Sequence, residues 1–202
     1  MFSPRNLWYK FSQVVSLFCG IIFFRFRIFY RAGLPYKTGA ILASNHQSYL
    51  DPVIVGTPLV KPINFMARST LFRNPLFRTL IRSLNAFPVE RDSADLKAAK
   101  ETLRRLKANG FVVMFPEGTR TRDGSVIMPK PGFAVLASRA GVPVVPVVIK
   151  NSWLAWGKGD KFVCRLPQIT VTYGEPFYLS RNCAANDAAK KLYEKWQELM
   201  KD

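Results

Sequence analysis

The chain has 202 residues, a formal charge of +17 and a pI near 10.2, which fits one folded domain with a short appendage and calls for an anionic partner: nucleic acid, a membrane surface or phosphorylated substrates. Sixteen Phe within a 13% aromatic fraction favour lipid contact over nucleic-acid binding. Cys19, Cys164 and Cys183 are odd in number and lack CxxC spacing, and with a single His they indicate neither a disulfide framework nor a metal site, so a reducing, cytoplasm-facing location is expected.

Residues 11–24 carry no charge. As a helix they would span about 21 Å against a hydrocarbon core of roughly 30 Å, too short to cross. No small-residue cleavage site follows, so a secretory signal is not expected. Arg25-Phe26-Arg27-Ile28-Phe29-Tyr30-Arg31 then interleaves cations with aromatics. Basic residues flank the apolar stretch on both sides: Arg5 and Lys10, then Arg25, Arg27 and Arg31. Residues 1–32 are therefore read as a helical segment resting in the headgroup layer, with a core helix bearing a basic rim as the alternative, ahead of a single domain over residues 33–202.

Beyond Gly33 short apolar runs alternate with helical stretches, the pattern of an α/β fold. Strands are expected at 39–44, 63–67, 86–89, 111–115 and 144–149, with a strand pair at 162–166 and 169–173 around Pro167. Ser93 is a candidate N-cap for a helix whose Leu96, Leu103 and Leu106 share a face up to Asn109-Gly110. Residues 133–140 suit a helix, and Ala189, Leu192, Tyr193, Trp196 and Leu199 fall at helical spacing. The fold class expected is α/β, with a mixed, mostly parallel sheet flanked by helices.

The chemistry concentrates in two loops. His46, the one histidine, follows a strand in Asn45-His46-Gln47-Ser48-Tyr49-Leu50-Asp51, and Asp51 is the only acid before Glu90. The first 89 residues otherwise carry eleven Lys and Arg. If residues 47–50 turn back, the carboxylate fixes the imidazole tautomer and leaves the other ring nitrogen to take a proton; a helix-capping role for both residues is the alternative. In Phe115-Pro116-Glu117-Gly118-Thr119-Arg120 a tight turn projects Thr119 and Arg120, whose guanidinium suits a phosphate. Glu117 is expected to orient an Arg or to accept from a substrate hydroxyl. Arg68 and Arg91 each follow a strand-like run, and parallel strands end at one edge.

In order, these blocks resemble the glycerolipid acyltransferase family, specifically bacterial 1-acylglycerol-3-phosphate acyltransferases. The likeness rests on the histidine-four-residues-aspartate motif at 46–51, the block from Leu84 to Arg91, the intact Phe-Pro-Glu-Gly-Thr-Arg at 115–120 and Val142-Pro143-Val144-Val145-Pro146. Departures are Asn85 where Gly is usual, Arg68 where Lys is common, and Pro131 in place of a second basic residue after Lys130. The resemblance implies acyl transfer to the sn-2 hydroxyl of lysophosphatidic acid from acyl-CoA or acyl carrier protein, with His46 as base and Asp51 holding it. Arg68, Arg91 and Arg120 would contact the acceptor phosphate, and Glu117, Gly118 and Thr119 would shape its pocket. No metal or bound cofactor is implied; the partners are the two substrates and an anionic membrane surface, with the protein on the cytoplasmic face of the cell membrane. Glycerol-3-phosphate or another lysophospholipid is the alternative acceptor, and a non-catalytic nucleic-acid or membrane binder the remote alternative.

Overall fold

Short apolar runs, each closed by a turn, assemble into one seven-stranded sheet in a computed structural model that describes residues 4–90, 95–180 and 183–201. The strands are β1 (Arg27–Tyr30), β2 (Ala40–Ser44), β3 (Ile63–Arg68), β4 (Ala86–Val89), β5 (Phe111–Met114), β6 (Val144–Lys150) and β7 (Thr170–Tyr173), in the order β1-β7-β6-β2-β5-β3-β4. All pairings are parallel except β6 with β7. Parallel neighbours need crossovers, and helices supply them: α2 (Asp51–Gly56), α3 (Pro75–Ser83), α4 (Leu96–Lys107) and α5 (Gly132–Ala140). The remaining helices are α1 (Pro4–Phe24), α6 (Ser152–Trp156) and α7 (Ala185–Lys201).

Helices on both faces explain why the central strands are apolar without alternation. Successive β2 residues point to opposite cores. Ile41 and Ala43 join Val112, Leu106, Phe133, Leu192 and Trp196 on the α4, α5 and α7 side. Ala40 and Leu42 join Phe111, Val113, Tyr9, Ile54 and Val55 on the α1 and α2 side. β2 lies between β5 and β6, so its carboxyl end stands at the middle of the edge where β2 to β6 all terminate.

Asn85 carries φ 67°, the left-handed backbone that Gly adopts freely and Asn tolerates best among other residues, so Asn here makes a turn that Gly could also make. Asp95 caps α4 by accepting from the Ala98 N–H at 2.9 Å. Ser93, the expected cap, lies outside the described residues. The buried side of α4 is Ala98, Thr102 and Leu106, whereas Leu96 is exposed. Leu106 is common to the expected and observed faces, and Leu103 is half-buried at the margin.

Three expectations need correction. The stretch read as an interfacial segment through residue 32 is helical only to Phe24; Arg25, with φ 44°, turns the chain, and Arg27–Tyr30 is an edge strand parallel to β7. Residues 162–166 form no strand, and Phe162, Val163 and Leu166 are exposed. β7 is already paired on one edge by β1 and on the other by β6, which leaves no edge for them. α1, for its part, begins at Pro4 and is 21 residues long, about 31 Å and thus long enough by length and composition to span a bilayer.

Candidate active site

The turn after β2 is fastened before it carries any chemistry. Asn45 continues the ladder with its side chain, donating to Ile149 O at 2.9 Å and accepting from Ile149 N at 2.7 Å. The His46 N–H then donates to Glu117 Oε2 at 3.1 Å, and Thr121 N donates to His46 O at 2.9 Å. Because β5 is the neighbour of β2, its loop holds both backbone groups of His46.

Asp51, the first residue of α2, is fully buried. Its Oδ2 lies 2.7 Å from His46 Nδ1 and accepts the N–H groups of Gln47 at 2.6 Å and Ser48 at 2.7 Å. Its Oδ1 accepts the Ser152 hydroxyl at 2.7 Å. A carboxylate taking donors on both oxygens is a pure acceptor, so Nδ1 of His46 bears the hydrogen, and in the neutral tautomer this selects, the lone pair is on Nε2. Phe115 stacks on the imidazole with ring centroids 4.2 Å apart, fixing the ring plane. The arrangement is a poised proton acceptor.

Glu117 is buried, its two oxygens accepting from His46 N and, at 3.3 Å, from Ile127 N. Burial raises its carboxyl to about 8, against the opposing pull of those two N–H bonds and with a smaller push from Asp51. Glu117 pairs with no described arginine; it clamps the His46 turn to residue 127. Gly118 makes the turn, with φ 74° and an N–H bond to Phe115 O at 3.0 Å. Thr119 Oγ1 accepts from Lys158 Nζ at 3.0 Å. The Arg120 guanidinium lies 3.5 Å over the Tyr49 ring, and its Nη1 is buried with no hydrogen-bond partner among the described residues. A buried donor of that kind on a cation is suited to an anion.

The expected residues are thus brought together unevenly. His46, Asp51, Glu117, Gly118, Thr119 and Arg120 stand in two interlocked loops. Arg68 is at the exposed end of β3, one strand beyond β5, and Arg91 lies outside the described residues. Three contributors carried no reading of their own: Phe115, Tyr49 and Ser152. The first two lie inside the quoted motifs, so their rings were visible there. Ser152 is 101 residues from Asp51, and only the adjacency of β6 to β2 delivers it.

Comparison with known proteins gives the same picture. The acyltransferase family model matches residues 27–150. A 1-acyl-sn-glycerol-3-phosphate acyltransferase of Limnanthes douglasii is 35% identical over 145 residues, 69% of this chain and 50% of that protein. One of Cocos nucifera is 34% identical over 69% of this chain and 46% of its own length, and one of Bacillus subtilis is 25% identical over 75% and 73%. The chain therefore spans about half the length of the two plant relatives. Among solved structures, the 1-acyl-sn-glycerophosphate (LPA) acyltransferase PlsC of Thermotoga maritima superposes with a TM-score of 0.82 at 23% identity, over 98% of this chain and 80% of that one, a likeness of fold.

Proposed function

The chain belongs to the acyltransferase family, and on that premise we propose that it transfers a fatty acyl group from acyl-CoA or acyl carrier protein to the sn-2 hydroxyl of lysophosphatidic acid, giving phosphatidic acid. The observation that carries the reading is His46 Nδ1 at 2.7 Å from a donor-saturated Asp51, in a turn interlocked with the loop of Arg120. His46 Nε2 accepts the acceptor hydroxyl proton as that oxygen attacks the thioester carbonyl. The tetrahedral adduct collapses, the carbon–sulfur bond breaks, and the imidazolium returns the proton to the leaving thiolate. Asp51 stabilises the imidazolium in between. Arg120 binds the acceptor phosphate, with Arg68 and Arg91 as further cations, while Glu117, Gly118 and Thr119 set the shape of the loop.

The apolar helix belongs to the same reading. Tyr9 Oη accepts from Ile63 N at 3.0 Å, and Gln13 donates to the carbonyls of Gly56 and Leu59 at 2.8 and 2.9 Å, so the inner side of α1 is bonded to the domain. Leu7, Phe11, Val14, Phe18 and Ile22 face out and are exposed. A helix so fastened lies along the cytoplasmic leaflet with its outer side in the lipid, and does not span it. The membrane-associating segment is then α1, and the catalytic domain includes β1.

His46→Ala tests the assignment: acyl transfer to lysophosphatidic acid should drop at least ~10²–10⁴-fold with the fold retained. Undiminished transfer by that variant rules the base out. Offering the native protein a panel of acceptors with one labelled acyl-CoA separates lysophosphatidic acid from glycerol-3-phosphate and other lysophospholipids.

A further inference from the structure

α3 buries a single side chain, Ile81. Leu76, Phe77 and Leu80, at i, i+1 and i+4, share one side of the helix and are 83%, 42% and 46% exposed. Leu71, in the turn before it, is exposed as well. The hold on the domain is small: Ile81 with Phe72, Ala67 and Ala86. A helix on a water-facing surface ordinarily turns its apolar side inward, and a contiguous exposed patch of this kind marks a contact surface.

Charge identifies the occupant. Between Asp51 and Glu90 the chain carries Lys61, Arg68, Arg73, Arg78 and Arg82 and no acid. Arg68 at the end of β3 and Arg73 in the turn before α3 are exposed, as is Arg78, which helical spacing puts on the far side of α3 from Leu76, Phe77 and Leu80. The patch also continues another: Trp8, itself half-exposed on α1, donates from Nε1 to Ser83 Oγ at 3.0 Å, joining the end of α3 to the outer side of α1. Bulky apolar groups on an acid-free, arginine-bearing segment suit acyl chains beneath anionic headgroups.

We propose that α3 is a second membrane contact, in which Leu76, Phe77 and Leu80 enter the lipid of an anionic bilayer while Arg73 and Arg78 meet its phosphates. The inference rests on the membrane attachment proposed for α1, and not on the identity of the acceptor. Its consequence is orientation. One helix lying in the interface leaves the domain free to roll about the helix axis; two attachments remove that freedom. α3 begins just past the carboxyl end of β3, on the sheet edge that carries His46, so it fixes how that edge meets the bilayer.

The experiment measures partitioning of the full chain onto vesicles of equal parts phosphatidylcholine and phosphatidylglycerol, alongside acyl transfer in detergent micelles. Leu76→Glu/Leu80→Glu should weaken partitioning at least about tenfold, the order expected for keeping two such side chains in water. The milder Leu76→Gln/Leu80→Gln should move it the same way, with circular dichroism unchanged and micellar transfer retained. Arg73→Gln/Arg78→Gln should weaken binding to these vesicles and leave the weaker binding to pure phosphatidylcholine unaltered. Unchanged partitioning of all three variants, with the native protein bound, overturns the role of α3 and leaves α1 as the anchor. A native protein that does not bind at all overturns both. Loss of micellar transfer in the glutamine pair would place this helix in the substrate path or against a protein partner instead, which also overturns it.

Discussion

The His46 turn and the flank formed by α1 and α3 stand at opposite ends of one scale. In the turn almost every polar atom is spoken for: Asp51 takes four donors, Glu117 takes two, and Asn45 replaces a missing rung of the sheet. On the flank, large apolar side chains stand in the open with basic neighbours and few bonds. Position in the turn is over-determined, as the proposed proton transfer would require, so small changes there should be costly. The flank is defined by what it leaves unpartnered, so changes there should spare the fold and alter where the protein resides.

The largest effect is expected in the turn. Asp51→Asn keeps the shape but offers an NH2 where an acceptor is needed. It also lets Nδ1 of His46 lose its hydrogen, putting the ring in the wrong tautomer. Acyl transfer should fall roughly 10³–10⁴-fold, the order seen when a buried aspartate of a His–Asp pair is changed in this way, and stability should drop by about 1–3 kcal/mol for the donors left unmet. Steady-state kinetics and urea unfolding check the two separately. A variant that is destabilised yet fully active would mean that the carboxylate serves the fold alone. Arg120→Ala comes next. It should raise the KM for the phosphorylated acceptor by roughly 10–100-fold, as for a charge-assisted hydrogen bond of about 1.5–3 kcal/mol, and leave the acyl-donor KM near native. An unaltered acceptor KM would reassign that guanidinium to packing on Tyr49.

On the flank, Phe11→Glu/Phe18→Glu on the outer side of α1 should leave the unfolding free energy within about 0.5 kcal/mol of native, as for exposed surface sites. Vesicle binding should fall at least about tenfold, since two exposed rings no longer enter the lipid. These point changes replace the simpler removal of residues 1–32, which would also delete the β1 edge strand. If they unfold the protein, the outer side of α1 packs against something and the contrast between the two regions dissolves.

The same contrast explains what could be read in advance. Where the determinants were contiguous, they were legible: the central strands, the five-residue spacing of His46 and Asp51, and the turn at Gly118. What depended on the sheet's order was not. Ser152 reaches Asp51 only because β6 runs beside β2, and Arg27–Tyr30, with its cations among aromatics, reads as interfacial until β7 offers it an edge. The converse holds at residues 162–166, apolar enough for a strand but without an edge to join. Glu117 was legible as important, though its task, accepting two backbone N–H groups across loops, is written in neither motif.

Glu117 also gives the subtlest test. Its folded carboxyl sits at about 8, above the ordinary 4.5 of an unfolded chain. Between those values the folded state holds a proton that the unfolded state has released, so stability from this group is complete below pH 4.5 and declines as pH rises toward 8, by at most about 1.4 kcal/mol per pH unit. Glu117→Gln cannot titrate. It keeps an acceptor for His46 N but turns an NH2 toward Ile127 N, so it should be less stable than the native protein at pH 5 and lose less as pH rises. Urea midpoints taken from pH 5 to 8 on both proteins measure the difference in slope. Identical slopes would mean that the carboxylate is already ionised in the folded state, held so by its two N–H donors, and that the buried charge in this turn is shared by Asp51 and Glu117 together.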